Sequence, residues 1–552
     1  MLTRVGRGET ELPRHPGGAG RRVPTLVRTT LILVVALGVL AAGAVVAIRT
    51  GVISMRPADD GPLAVDPADP HRGETGKTDD ADERAGADDA PNHEPFGPPV
   101  LPALEDPGKL PDESGIAKAI SRYTGDDLLG KHHGVSVRDV RTGKLLYSSN
   151  GGGSYIPAST TKLLTAAAVL DAYGPEHRFA TTVELDARSL SAQGADTSKS
   201  GKPGESGSAK PTKPDPSRPA TITLVGGGDP LLATSKAWKR KDYAVPDRRY
   251  PKPATVEQLA AKAAKQLTDR GIEKVRLDVD DTLFTEDIAP SWESQYVPTG
   301  VVSRIHALWV NSGRLDWPYS MPRSTDPALG AAEEFAAALT DAGVRVTDIR
   351  RGKAPSGGAA ERLAVVHSAP VSELVTHTLL LSDNDTAEVL ARQVAVARGE
   401  PATFAGAGTA ILDQLTEVGL DTDGVRLYDG SGLSRDNRIP PNTLTELLAI
   451  SARADQPRLR GVLTGLPVGG FSGSLSDRFV TTGGSVGVGG EGAGQVRAKT
   501  GTLNQVASLA GVIDTADGGL LAFDIVSDRG APIDPRLGID RAVAALTGCG
   551  CR

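Results

Sequence analysis

Apolar and polar positions follow two rhythms after about residue 113. Alternation marks strands, and recurrence every three to four positions marks helices. Val135 to Val140 and Lys144 to Tyr147 predict two strands joined by a turn at Thr142-Gly143. A loop, NGGGSYIP, follows, and then a Leu- and Ala-rich helix from Ser159 to Tyr173. TTVELD and TITLVGGGDP read as strands on either side of a low-complexity run from Arg188 to Ala220, which is expected to be an exposed loop. VEQLAAKAAKQLTDRG and AAEEFAAALTDAG carry helical periodicity, with the strand VRLDVDD between them. LVTHTLLLSDNDTAEVLARQVAVARG predicts two helices broken at Ser382-Asp383-Asn384. Val496 to Thr502, Val506 to Ile513 and Leu520 to Ser527 predict adjacent strands. Asp517-Gly518-Gly519 supplies the hairpin turn between the last two. Ile533 to Leu546 closes the chain as a helix, and the first ordered unit is expected near Ile116.

The N-terminal part has a different texture. Leu31 to Ile48 is an unbroken apolar run, near the lower length limit for a membrane-spanning helix. Arg4, Arg7, Arg14, Arg21, Arg22 and Arg28 precede it. That excess of arginine predicts a single-pass cell-membrane anchor with residues 1–30 inside and the rest extracytoplasmic. A signal cleaved on secretion is the alternative. Residues 49–112 are rich in Asp, Pro and Gly and too poor in apolar residues to fold, so they read as an acidic tether.

A chain of 552 residues is too long for one hydrophobic core. The net charge of -7 lacks the basic footprint of a nucleic-acid binder. The two cysteines, Cys549 and Cys551, both lie at the C-terminus, which excludes a disulfide framework. A bond across one glycine would be strained, so the expectation is a frayed tail with two thiols.

Three short motifs carry the chemistry. Ser159-Thr160-Thr161-Lys162 is an S-x-x-K at a helix start, just after Pro157. Spacing of three puts Ser159 and Lys162 on one helical face. A serine hydroxyl is a weak nucleophile until a base takes its proton, and a poorly solvated lysine can be neutral and take it. Ser382-Asp383-Asn384 falls between two helices, where a serine could relay protons between lysines and an asparagine amide could hold a substrate carbonyl. Lys499-Thr500-Gly501 lies on a strand, where lysine and threonine can grip a carboxylate and the glycine keeps the cleft open. Each motif alone has an ordinary structural explanation. Their conjunction, in this order and these contexts, is the signature of penicillin-binding proteins and serine β-lactamases.

On these residues the chain resembles the class C low-molecular-mass penicillin-binding proteins, the D-alanyl-D-alanine carboxypeptidase/endopeptidase family. YIPASTTKLLTAAAVL, GGGDPLL, SDNDTAEVLAR, YDGSGLSRDNRIPP, LPVGGFSGSLSDRF and VRAKTGTLNQVASLAG all fit its pattern, from about Ile116 to Leu546. The long spacing between Lys162 and Ser382 fits the family's insertion. The resemblance implies an α/β (α+β) transpeptidase/β-lactamase-like domain, 113–184 with 360–552, split by inserted smaller domain material at 185–359. It implies Ser159 as nucleophile, Lys162 as base and Ser382 as proton carrier. Asn384, Lys499, Thr500 and Gly501 would bind substrate, and the backbone N–H groups of Ser159 and Thr502 would form the oxyanion hole. Peptidoglycan stem peptides would be substrates and β-lactams covalent inhibitors, with no metal and no cofactor. A β-lactamase or esterase and a non-catalytic β-lactam-binding wall protein are the rival readings. Asp229 reads as a turn cap with no catalytic role. The sequence leaves open carboxypeptidase versus endopeptidase, and the oligomeric state.

Overall fold

The computed structural model describes residues 111–191, 219–239, 251–316, 321–480, 491–516, 518–531 and 533–549. The expected anchor at 31–48, the basic tail and the acidic tether lie outside the described residues. Among the described residues, no helix is long and apolar enough to cross a membrane.

The first described helix, α1 (Glu113–Ile120), starts at Asp112, whose carboxylate accepts the Gly115 N–H at 2.7 Å. Strands β1 (His133–Asp139) and β2 (Leu145–Ser149) follow. Between them Gly143 takes a left-handed φ of 71°, as the turn needs. A single 3₁₀ turn, Ala158–Thr161, hands over to α2 (Lys162–Tyr173). Next come β3 (Ala180–Asp186), β4 (Ala220–Val225), α3 (Val256–Thr268), β5 (Lys274–Asp280), α4 (Pro327–Asp341), β6 (Arg345–Arg351) and β7 (Ala360–His367). The chain then returns through α5 (Val371–Leu381), α6 (Asn384–Arg398), α7 (Phe404–Glu417) and α8 (Pro441–Ala452). It ends with β8 (Val496–Leu503), β9 (Val506–Asp514), β10 (Leu520–Ser527) and α9 (Pro535–Thr547).

The strands form two sheets. One has the order β2-β1-β10-β9-β8 and is antiparallel throughout. Its two faces show in the alternation along β10. Leu521, Phe523 and Ile525 pack with Ile116 and Ile120 of α1 and with Ile539 and Val543 of α9. Ala522, with Ala510 and Val512 of β9, joins the opposite core against α2 and α8. Helix α2 is therefore pressed between the sheet and α5–α7, and all of Leu163 to Leu170 is buried.

The other sheet has the order β6-β5-β4-β3-β7 and is mixed, with parallel β4-β5 and β5-β6 pairs. Helices α3 and α4 cover one face. Its strands reach past the 185–359 segment at both ends, because β3 pairs with β7 from Ala180↔His367 to Asp186↔Ala360. Local periodicity cannot reveal which distant strands pair.

Two expectations change. The run after Arg188 does not begin as an open loop: Ala187–Ser191 forms a short helix, held by the Ser189 hydroxyl on the Asp186 carbonyl. Residues 192–218 lie outside the described residues. At the C-terminus Cys549 is disulfide-bonded, not a free thiol, and is buried in the core with α9. The only other cysteine in the chain, Cys551, lies outside the described residues.

Candidate active site

Pro157 and Ala158 set the position of Ser159. Ala158 adopts a left-handed φ of 50°, uncommon for a residue with a Cβ, and is fully buried. The strain is held by its surroundings. The Ser508 hydroxyl donates to the Pro157 carbonyl at 2.7 Å, and the Thr161 hydroxyl donates to the Ala158 carbonyl at 2.9 Å. Asp528 accepts the Ile156 N–H at 2.8 Å and pairs with His132. Ser159 thus sits on a 3₁₀ turn and Lys162 opens α2. The expected helix start is tighter than an α-helix, and the i to i+3 geometry of Ser159 and Lys162 is preserved.

Lys162 is fully buried. Its Nζ donates to Ser159 Oγ at 3.0 Å, to Asn384 Oδ1 at 2.8 Å and to the Ser431 carbonyl at 2.7 Å. Burial pushes its ammonium down to about 8, opposed by the charges of Asp429, Glu388, Asp383 and Asp385. That leaves a group able to accept a proton near neutral pH.

Ser382 ends α5 in the left-handed conformation, φ 57°, which turns its hydroxyl towards β8. Lys499 Nζ donates to Ser382 Oγ at 2.8 Å and to the Thr500 carbonyl at 2.7 Å. Burial, then the charges of Lys162 and Arg478, pushes the Lys499 ammonium well below its ordinary range. Thr500 Oγ1 donates to Ser474 Oγ at 2.9 Å.

Gly501 belongs to the site for a reason beyond an open cleft. A Cβ there would lie 2.1 Å from Ser508 Oγ and 2.6 Å from the Pro157 carbonyl oxygen. Only glycine lets β8 lie this close to the nucleophile turn. Thr502 is exposed on the same strand. Asp229 does not join the cluster: it caps its own turn, accepting the Leu231 N–H at 2.9 Å.

The structure brings together Ser159, Lys162, Ser382, Asn384, Lys499, Thr500 and Gly501 from three distant stretches. It adds residues that sequence reasoning left without a role. Ser431 supplies a carbonyl to Lys162. Its N–H is held by Glu388 at 2.7 Å, and the Glu388 carboxyl is pushed up to about 7 by burial and by Asp429. Asp429 accepts from Gly432 N at 2.9 Å, Ser434 N at 2.6 Å, Asn437 Nδ2 at 2.6 Å and Trp292 Nε1 at 2.8 Å, and so ties the DGSGL loop together. Ser474 and the Val301 carbonyl, which accepts from Asn384 Nδ2 at 2.9 Å, complete the rim. The DGSGL and GGFSGSL runs were visible in the sequence as patterns; nothing local connects them to Lys162 or Thr500.

A half-buried serine against a fully buried lysine, a second serine–lysine pair and an asparagine on the first lysine define a serine acyl-transfer site. The comparisons agree with that class. The family model described as D-Ala-D-Ala carboxypeptidase 3 (S13) matches residues 116–197, 209–318 and 318–546. Carboxypeptidase Rv3627c of Mycobacterium tuberculosis is 32% identical over 83% of this chain and 90% of its own. Carboxypeptidase DacB of Mycolicibacterium smegmatis is 33% identical over 84% of this chain and 92% of its own. Penicillin binding protein 4 from Haemophilus influenzae shares the fold at a TM-score of 0.57 and 19% identity, over 78% of this chain and 98% of its own. The chain belongs to the D-Ala-D-Ala carboxypeptidase 3 (S13) family.

Proposed function

We propose that this protein is a serine-type DD-peptidase that hydrolyses the D-Ala-D-Ala bond of peptidoglycan stem peptides through an acyl-enzyme on Ser159. The observation that carries the reading is the fully buried Lys162, its Nζ 3.0 Å from Ser159 Oγ and fixed by Asn384 and Ser431. Neutral Lys162 takes the Ser159 proton as Oγ bonds to the carbonyl carbon. The Ser159 and Thr502 N–H groups hold the oxyanion, a contribution whose removal typically costs about 100- to 1000-fold in rate. The C–N bond then breaks, and the proton reaches the departing amine of D-alanine by way of Ser382. Water attacks the acyl carbon, Lys162 takes its proton and returns it to Ser159 Oγ as the acyl C–O bond breaks, which restores the free hydroxyl and the neutral amine.

Lys499 and Thr500 hold the terminal carboxylate, with the charge of Lys499 restored by that anion. A β-lactam presents the same carboxylate and acyl carbon and stalls as the adduct. A D-Ala cross-link would be opened by the same steps where the cleft admits a larger leaving amine. The apolar run 31–48 behind its arginines supports attachment to the cell membrane with this site outside.

The test is intact mass of the full-length protein in detergent with excess penicillin, beside a Ser159→Ala variant. A stable adduct on the wild type alone is the expected result. No adduct with the penicillin intact would refute the mechanism, and rapid consumption of the penicillin would make the protein a β-lactamase.

A further inference from the structure

Asn384 presents its Oδ1 to Lys162 Nζ at 2.8 Å, and it keeps that role when Lys162 is neutral, because the amine's lone pair is then turned to the Ser159 hydroxyl. The Asn384 Nδ2 carries two hydrogens, and the Val301 carbonyl takes one at 2.9 Å. The other is left for a substrate carbonyl. The amide's orientation therefore depends on a backbone carbonyl from the segment between β5 and α4, contributed by the inserted part of the chain. Val301 is 40% exposed at the rim, and its own N–H is held by the Tyr296 carbonyl at 2.9 Å.

A second restraint on this segment is ionic. Asp385, next to Asn384, is 2% exposed. It accepts from the Ser303 N–H at 2.7 Å, from Arg323 Nη1 at 2.9 Å and from Arg314 Nη2 at 3.3 Å. Arg323, its side chain 4% exposed, also donates to the Ser312 carbonyl at 2.7 Å and to the Gly300 carbonyl at 3.1 Å. Gly300 and Ser303 bracket Val301. The same cluster holds Asn311 and Ser312 in the left-handed region, at φ 54° and 52°, a strain that packing must support. Gly313 approaches so closely that a Cβ would lie 2.5 Å from Ser303 Oγ. The buried Arg323 side chain, the partly exposed Arg314, one buried carboxylate and a strained turn thus converge on this segment.

We propose that Asp385, Arg323 and Arg314 are positioning residues for the reaction. They clamp residues 300–314 and Arg323 to the start of α6 so that the Val301 carbonyl holds the Asn384 amide between Lys162 and the substrate. The inference rests on the acyl-enzyme reading above.

The test is the rate of acylation of the full-length protein by a fluorescent penicillin, with kcat and KM for a D-Ala-D-Ala peptide and a thermal melt. The variants are Arg323→Met, Arg323→Lys and Asp385→Asn. Misplacing a catalytic group by about 1 Å costs roughly 100-fold, so folded Arg323→Met should lose about that factor in acylation and kcat with KM little changed. Arg323→Lys should recover part of the loss. Asp385→Asn also removes a negative charge that, with Asp383, holds the Lys162 ammonium up. Its acylation profile should shift to lower pH, which a merely structural role would not produce. If Arg323→Met does not fold, Asp385→Asn decides. Wild-type rates in folded Arg323→Met, or wild-type kcat in folded Asp385→Asn, overturn this inference alone. A wild type that takes no penicillin overturns the acyl-enzyme reading and this inference with it.

Discussion

Raising the pH from 6 to 9 should switch on acylation of Ser159, because the base that deprotonates it titrates in that range. An ordinary lysine side chain loses its proton near 10.5, and burial brings Lys162 down to about 8. At pH 7 that makes roughly 9% of the site neutral, against roughly 0.03% for an unshifted lysine, a gain of about 300-fold in competent enzyme. From pH 7 to pH 9 the neutral fraction, and with it the second-order acylation rate, should rise about tenfold and then level off. The midpoint is set by a contest that can be altered. Burial lowers it, and the nearest carboxylates, Asp429 and Glu388, raise it. Glu388→Gln removes one of those charges, so its midpoint should fall below that of the wild type. Stopped-flow acylation by a fluorescent penicillin between pH 5.5 and 9.5 measures both curves. A flat wild-type profile, or a limb still rising at pH 9.5, would refute Lys162 as the base. An unmoved midpoint in a folded Glu388→Gln protein would refute the electrostatic account of its tuning.

Two further predictions concern the frame around the site. Gly432 sits at φ 84°, and a Cβ there would lie 1.9 Å from the Ala158 carbonyl oxygen. Gly432→Ala should therefore cost on the order of 2 kcal/mol in stability and slow acylation more than tenfold, read by melting temperature and penicillin uptake; full activity would show that the nucleophile turn is softer than described. Asp229 is 3% exposed and burial pushes its carboxyl up to about 7. The folded chain prefers it protonated, so its contribution is complete below about pH 4 and is lost as the pH rises through about 7, by about 4 kcal/mol in all. Asp229→Asn should flatten the fall of stability across that window in denaturant titrations, and an unchanged slope would mean that the carboxylate finds a partner.

Where chemistry follows local spacing, the sequence was easy to read. Ser159 and Lys162 are one turn apart, and the break at Ser382-Asp383-Asn384 is visible between two apolar periodicities. The strands at 496–527 show by alternation alone. The contacts that tune the site span long separations. Lys162 reaches Asn384 and Ser431, and Asn384 reaches Val301; no periodicity predicts such meetings. Asp385 reads in sequence as a polar residue in a first helical turn, where an acid is common. Only the fold shows it buried beneath two arginines. Gly501 was legible as part of a motif, but its close approach to Pro157 depends on how β8 meets the nucleophile turn.

The pairing of β1 with β10 has a consequence for the order of events in folding. Val135 lies opposite Ile525, so an inner pair of the antiparallel sheet closes a loop of nearly the whole described chain. Loop closure over such distances is slow and comes after local structure. The nucleophile helix is made early, but Ser508 and Gly501, which brace its turn, arrive with the last strands. A partly synthesised chain would carry Ser159 without its brace or its carboxylate grip. Reactivity towards penicillin should thus appear as a late, all-or-none property of the finished chain, and acylation would serve as a reporter of complete folding.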